Sequence, residues 1–131
     1  MNTWRSRASV AALLFTLAET HSAAAYDLPN SEVGMLIYHG SAATMDLILI
    51  YTLPALIAGK LCDDMQLLCL AFIVVNFVGF LLYMAYSPPV IYNTISWGLA
   101  YVQYARLFIL DSDHVDSVGG NLVRRSHHLG A

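Results

Sequence analysis

Three long apolar runs separated by short polar turns dominate the chain, at residues 41–59, 65–86 and 90–110. A hydrocarbon core about 30 Å thick takes roughly 20 helical residues at about 1.5 Å of rise each. Each run has that length, so the pattern predicts three membrane-spanning helices. The punctuation between them agrees. Gly59 suits the left-handed position that ends a helix, and Asp63 and Asp64 suit the N-terminal turn of the next. Ser87-Pro88-Pro89 stops the second run and opens the third, with Pro89 in the first turn. Pro54 should kink the first span, since its ring removes one backbone hydrogen bond. Connections this short make neighbouring helices antiparallel.

The first 25 residues follow another pattern. Arg5 and Arg7 precede an eleven-residue apolar run from Ala8 to Ala18, then a polar patch, then Ala23-Ala24-Ala25. A basic start, a short apolar stretch and a small-residue site just before Tyr26 form the layout of a secretory signal peptide. The alternative is an uncleaved signal anchor whose helix runs on over Glu19 and His21. The expected fold class is therefore an all-α membrane protein: a three-span antiparallel transmembrane helix bundle preceded by a signal peptide (residues 1–25) or signal anchor. Residues 26–40 form an external segment in this reading, and 111–131 a cytoplasmic tail.

Polar positions inside the spans are few and periodic. Asn76 and Gly79 share a stripe on the second span; Asn93, Ser96, Ala100 and Gln103 form one small and polar face on the third. Trp97, Tyr101, Tyr104 and Phe108 make an adjacent aromatic face. Small and amide side chains let helices approach and hydrogen-bond in lipid. Asn76, Gly79, Asn93, Ser96, Ala100 and Gln103 are therefore expected to form the helix–helix seam. Asp46 is the one carboxylate inside the first span, and His39 lies seven residues before it. An ionisable group in a span is a functional candidate. Asp46 and His39 could form an ion or proton relay; the plainer expectation is an Asp46 hydrogen-bonded to Tyr92 or Asn93.

Composition supports the membrane assignment. The chain is 58% hydrophobic and 11% charged, against about 25% charged in soluble domains. All six Lys and Arg fall on one side of the three-span arrangement: Arg5, Arg7, Lys60, Arg106, Arg124 and Arg125. The positive-inside bias then makes that side cytoplasmic, with Lys60, Arg106, Arg124 and Arg125 as topology anchors in the inner (cytoplasmic) membrane. No basic stripe points to nucleic acid. Cys62 and Cys69 are about 10 Å apart by helical rise, too far for a disulfide, and read as apolar packing residues. Neither the acidic stretch after Asp111 nor His127-His128 has metal-ligand spacing, so no metal is expected. No cofactor is expected either, since His39 would lack a second histidine for haem.

No nucleophile elbow, phosphate loop or metal-binding helix motif is present, so no enzymatic activity is expected. Three spans, an exported N-terminal segment, short turns and a hydrophilic tail resemble the topology of class I phage holins. That resemblance implies a self-associating membrane permeabiliser, although its tail here carries three Asp against two Arg. The primary expectation is a small non-enzymatic membrane protein acting through contacts with other membrane subunits or itself, as an accessory or regulatory subunit. A small proton or cation conductor using Asp46 is the second alternative.

Overall fold

The computed structural model describes residues 2–109, and over these the fold is all-helical. Helix α1 spans Trp4–Ala25, α2 Glu32–Thr52, α3 Gly59–Met84 and α4 Pro89–Phe108, with a 3-10 turn at Leu53–Ala55. α2 with its 3-10 extension, and α3, are each long and apolar enough to cross a membrane.

Hydrogen bonds between helices fix the arrangement. His39 pairs with Asn76, and the Ile50 carbonyl pairs with Gln66, so residue numbers fall on α3 as they rise on α2. Asp64 with Arg106, and Asn76 with Tyr92, give the same antiparallel sense to α3 and α4. α1 closes the ring. Its start meets the end of α4, where Trp4 stacks on Phe108 with centroids 6.1 Å apart. Its end meets α2, where His21 Nε2 lies 3.0 Å from the Tyr38 carbonyl oxygen. Over the described residues the result is an up-down bundle of four helices.

Residues 4–25 fold as a complete helix of this bundle. Thr3 caps it, its hydroxyl accepting the Ser6 N–H at 3.2 Å. Val10 and Leu14 are buried in the core with Leu49, Leu53, Ile57, Leu61, Met65 and Leu107. Cys62 and Cys69 are free thiols packed in that core. The core fills the half of the bundle that holds the start of α1, the α2–α3 turn and the end of α4. Arg5, Arg7, Lys60 and Arg106 all lie at this end.

The helix that holds the first apolar run extends beyond it on the N-terminal side. α2 begins at Glu32, not near residue 41, because Ser31 caps it and accepts the Gly34 N–H at 3.2 Å. The apolar residues Val33, Met35, Leu36 and Ile37 then carry the helix onward, so only 26–31 separate α1 from α2. At the other end Pro54 terminates the α-helix instead of kinking it. Pro54 cannot donate to the Ile50 carbonyl, and the chain tightens into the 3-10 turn. The freed Ile50 oxygen accepts instead from Gln66 Nε2 on α3, at 2.7 Å.

Gly59 does adopt a left-handed conformation, with φ of +62°, but it opens α3 instead of closing α2. Asp63 and Asp64 consequently lie in the second turn of α3 and do not cap it. The α3–α4 connection is as the prolines require: Pro88 precedes α4 and Pro89 is its first residue.

Candidate functional site

Two polar layers cross the bundle between α2, α3 and α4. In the first, the Asn76 side-chain oxygen accepts from Tyr92 Oη at 2.9 Å and from His39 Nδ1 at 3.2 Å. This second bond requires the Nδ1–H tautomer of His39. The Asn76 amide nitrogen donates to the Phe72 carbonyl at 2.9 Å, so both ends of the buried amide are satisfied. Gly79 makes the layer possible. A Cβ there would collide with the Tyr92 ring and with His39, so only glycine lets the two rings close over α3.

One heptad away on α2, Asp46 forms the second layer. Its carboxylate meets the Cys69 thiol of α3. Gln103 Nε2 of α4 approaches the same sulfur at 3.8 Å. Asp46 is the fifteenth residue of α2, about 21 Å along the helix axis from Glu32. It therefore lies deep in the bundle. Below both layers, Asp64 receives Arg106 Nε at 2.8 Å and Lys60 Nζ at 3.0 Å.

Cavities flank the layers in the half of the bundle away from the packed core. An outer cavity of about 670 Å³ opens between the starts of α2 and α4 and includes His39, Gly79 and Tyr83. An inner cavity of about 410 Å³ lies between α1 and the other three helices and includes Glu19, His21, Asp46, Ser96 and Gln103. Tyr38, Tyr92 and Asn93 border both.

The candidate residues divide accordingly. Asn76, Gly79 and Gln103 are buried between helices. Asn93, Ser96 and Ala100 line the inner cavity, on the side of α4 that faces α1. Asp46 and His39 are on one face of α2 but border different cavities, with the Asn76–Tyr92 pair between them. Lys60 and Arg106 converge on Asp64, whereas Arg124 and Arg125, the acidic stretch after Asp111 and His127-His128 lie outside the described residues.

Four further participants are not among the candidates read from the sequence. Glu19 and His21 look like the polar flank of a signal-like segment, although the length of helix to Ala25 gives them a place in the bundle. Cys69 looks like a packing residue alone. Gln66 has a legible signal: Pro54 leaves the Ile50 carbonyl without a helical donor, and an amide on the next helix can supply one. Comparison of the chain with protein-family models, curated proteins and solved structures finds no match.

Proposed function

We propose that the chain is an integral protein of the inner (cytoplasmic) membrane that acts through helix contacts, as a non-enzymatic accessory or regulatory subunit of a membrane assembly. α2, α3 and α4 span the bilayer in this reading, and α1 is retained as a signal anchor instead of being cleaved. Arg7 and Val10 support retention: both are buried, and removing residues 1–25 would open the core they fill. The cationic end faces the cytoplasm, because the opposite end of the described bundle carries Asp27 and Glu32 and no Lys or Arg.

The observation that carries the functional reading is where the polar groups lie. His39, Asn76, Tyr92, Cys69 and Gln103 bond between helices of this chain, so the amide-rich seam works as internal adhesive. Most of what faces outward on α2, α3 and α4 is apolar or aromatic, including Trp97 and Tyr101 on α4, which are 70% and 77% exposed. Aromatic side chains of this size contribute heavily to the energetics of interfaces.

Photo-crosslinking in the native membrane tests this reading. A benzophenone amino acid at Tyr101 should yield a discrete product of fixed stoichiometry, and one at Leu67 on α3 should yield lipid adducts alone. Lipid adducts at both positions would refute it. Single-cysteine labelling at Ser31 and Ser126, with Cys62 and Cys69 replaced, tests orientation. An impermeant reagent should reach position 31 alone in intact cells.

Asp46 supports a second reading. A carboxylate deep in the bundle, beside a cavity that meets the outer one at Tyr92 and Asn93, suits proton or cation conduction. Dissipation of an imposed pH gradient in vesicles by the wild type but not by Asp46→Asn would favour it. The holin-like alternative requires abrupt loss of membrane potential after induced expression.

A further inference from the structure

The inner cavity has a chemistry that the helix-contact reading does not use. Its volume of about 410 Å³ lies in the range of small-molecule sites. Among the described residues two carboxylates line it, Asp46 and Glu19, and no Lys or Arg does. The described Lys and Arg side chains are at the far end of the bundle, where Arg7 bonds to the end of α4 and Lys60 and Arg106 bond to Asp64. His21, which also lines the cavity, is held through Nε2 by the Tyr38 carbonyl and the Ser41 hydroxyl. A carboxylate deep in a span without a cationic partner is costly, and a ligand of opposite charge offsets that cost.

The walls select the kind of cation. Phe15, Phe72, Tyr92, Trp97 and Tyr104 present aromatic surface to the space, and ring faces attract a cation within about 6 Å of their centroids. A bare metal ion needs converging hard ligands, and among the described residues no group of three His, Cys, Asp or Glu could hold one. Access is lateral. Phe15 on α1 and Trp97 on α4 line the cavity yet are 60% and 70% exposed, so it opens between these two helices toward the apolar surroundings of the bundle.

We infer that this cavity binds a lipophilic organic cation, an apolar and aromatic body around one delocalised positive charge, with Asp46 as its deep counter-ion and Glu19 at the rim. Entry between α1 and α4 brings the ligand from lipid. The amide and hydroxyl groups of Asn93, Ser96 and Gln103 supply dipoles around the charge. The site goes beyond the helix-contact reading, and crosslinking at Tyr101 reports on that reading independently.

Tetraphenylphosphonium is the probe. Its binding to the purified full-length protein in mild detergent is measured by isothermal titration calorimetry, with triphenylphosphine oxide as a neutral comparator. Saturable binding of the cation is expected, about tenfold or more tighter than that of the neutral compound. Asp46→Asn should weaken the cation about tenfold and leave the neutral compound unchanged. Asp63→Asn, at an exposed carboxylate outside the cavity, should change neither. Ala100→Trp should abolish binding by filling the space. Should Asp46→Asn fail to fold, the cation-to-neutral ratio in the wild type still decides. Unsaturable binding, equal affinity for the two compounds, or full affinity in folded Asp46→Asn would overturn the site.

Discussion

Arg7, in the first two turns of α1, donates through Nη1 to the carbonyl oxygen of Leu107 in the last turn of α4, at 2.8 Å. The same nitrogen reaches the Ile109 carbonyl at 3.1 Å. The last carbonyls of a helix have no intrahelical donor and form the negative end of its dipole. A guanidinium from another helix therefore completes the C-terminus of α4. The contact joins the segment that reads as a signal peptide to the end of α4.

Arg7→Leu keeps apolar bulk but leaves these carbonyls without their charged donor. A hydrogen bond to a charged group contributes about 1.5–3 kcal/mol, so a loss of about 2 kcal/mol is expected. Unfolding by SDS titration, followed by tryptophan fluorescence, measures it. A chain cleaved after Ala25 would show no effect, and an intact mass short of the full 14.4 kDa would likewise exclude a retained α1.

Pro54 and Gln66 should be energetically coupled. Gln66→Leu strands the Ile50 carbonyl, which Pro54 has already deprived of its helical donor. A cost of about 1 kcal/mol is expected for that change alone. In a Pro54→Ala background the backbone N–H of residue 54 can donate to Ile50, and the cost of Gln66→Leu should fall to near zero. A double-mutant cycle in detergent reads the coupling. Additive losses would show that Gln66 acts elsewhere.

These two contacts show how far the chain can be read from its residues. The all-helical class, α3, the proline-marked start of α4 and the burial of Asn76 and Gln103 follow from hydrophobic length and local turn chemistry. The start of α2 is harder to place because Gly34, His39 and Gly40 dilute the apolar pattern, while the cap that sets it is one serine. Periodicity puts Asn76 on a face but does not choose His39 and Tyr92 as its partners, because that depends on the register between helices. The inner cavity is hidden for the same reason. It exists only where α1 packs, and α1 reads locally as an export signal.

The Asn76 layer yields a graded prediction. Tyr92→Phe removes one of two donors to the Asn76 oxygen and leaves His39 in place, so a loss below about 1 kcal/mol is expected. Asn76→Ala leaves the His39 Nδ1–H and the Tyr92 hydroxyl both without their acceptor, and a larger loss of about 2 kcal/mol is expected. SDS-titration unfolding of both variants gives the order. Equal losses would mean that His39 contributes nothing to the layer.

Tyr86 should be a site where stability can be gained. It is the described non-glycine residue with positive φ, at +56°, just past the end of α3. The Tyr86 N–H donates to the Tyr83 carbonyl and the Ser87 N–H to the Leu82 carbonyl, each near 3 Å, in the paired pattern that closes a helix through a left-handed residue. A side chain in that conformation costs about 1–2 kcal/mol, which glycine avoids. The Tyr86 ring is 95% exposed, so little packing within this chain is lost with it. Glycine also loses more conformational freedom on folding, which offsets part of the gain. Tyr86→Gly is therefore expected to raise stability by up to about 1 kcal/mol in SDS-titration unfolding. A marked loss in native membranes alongside a gain for the isolated protein would identify the exposed ring as an anchor for a partner or for the lipid interface.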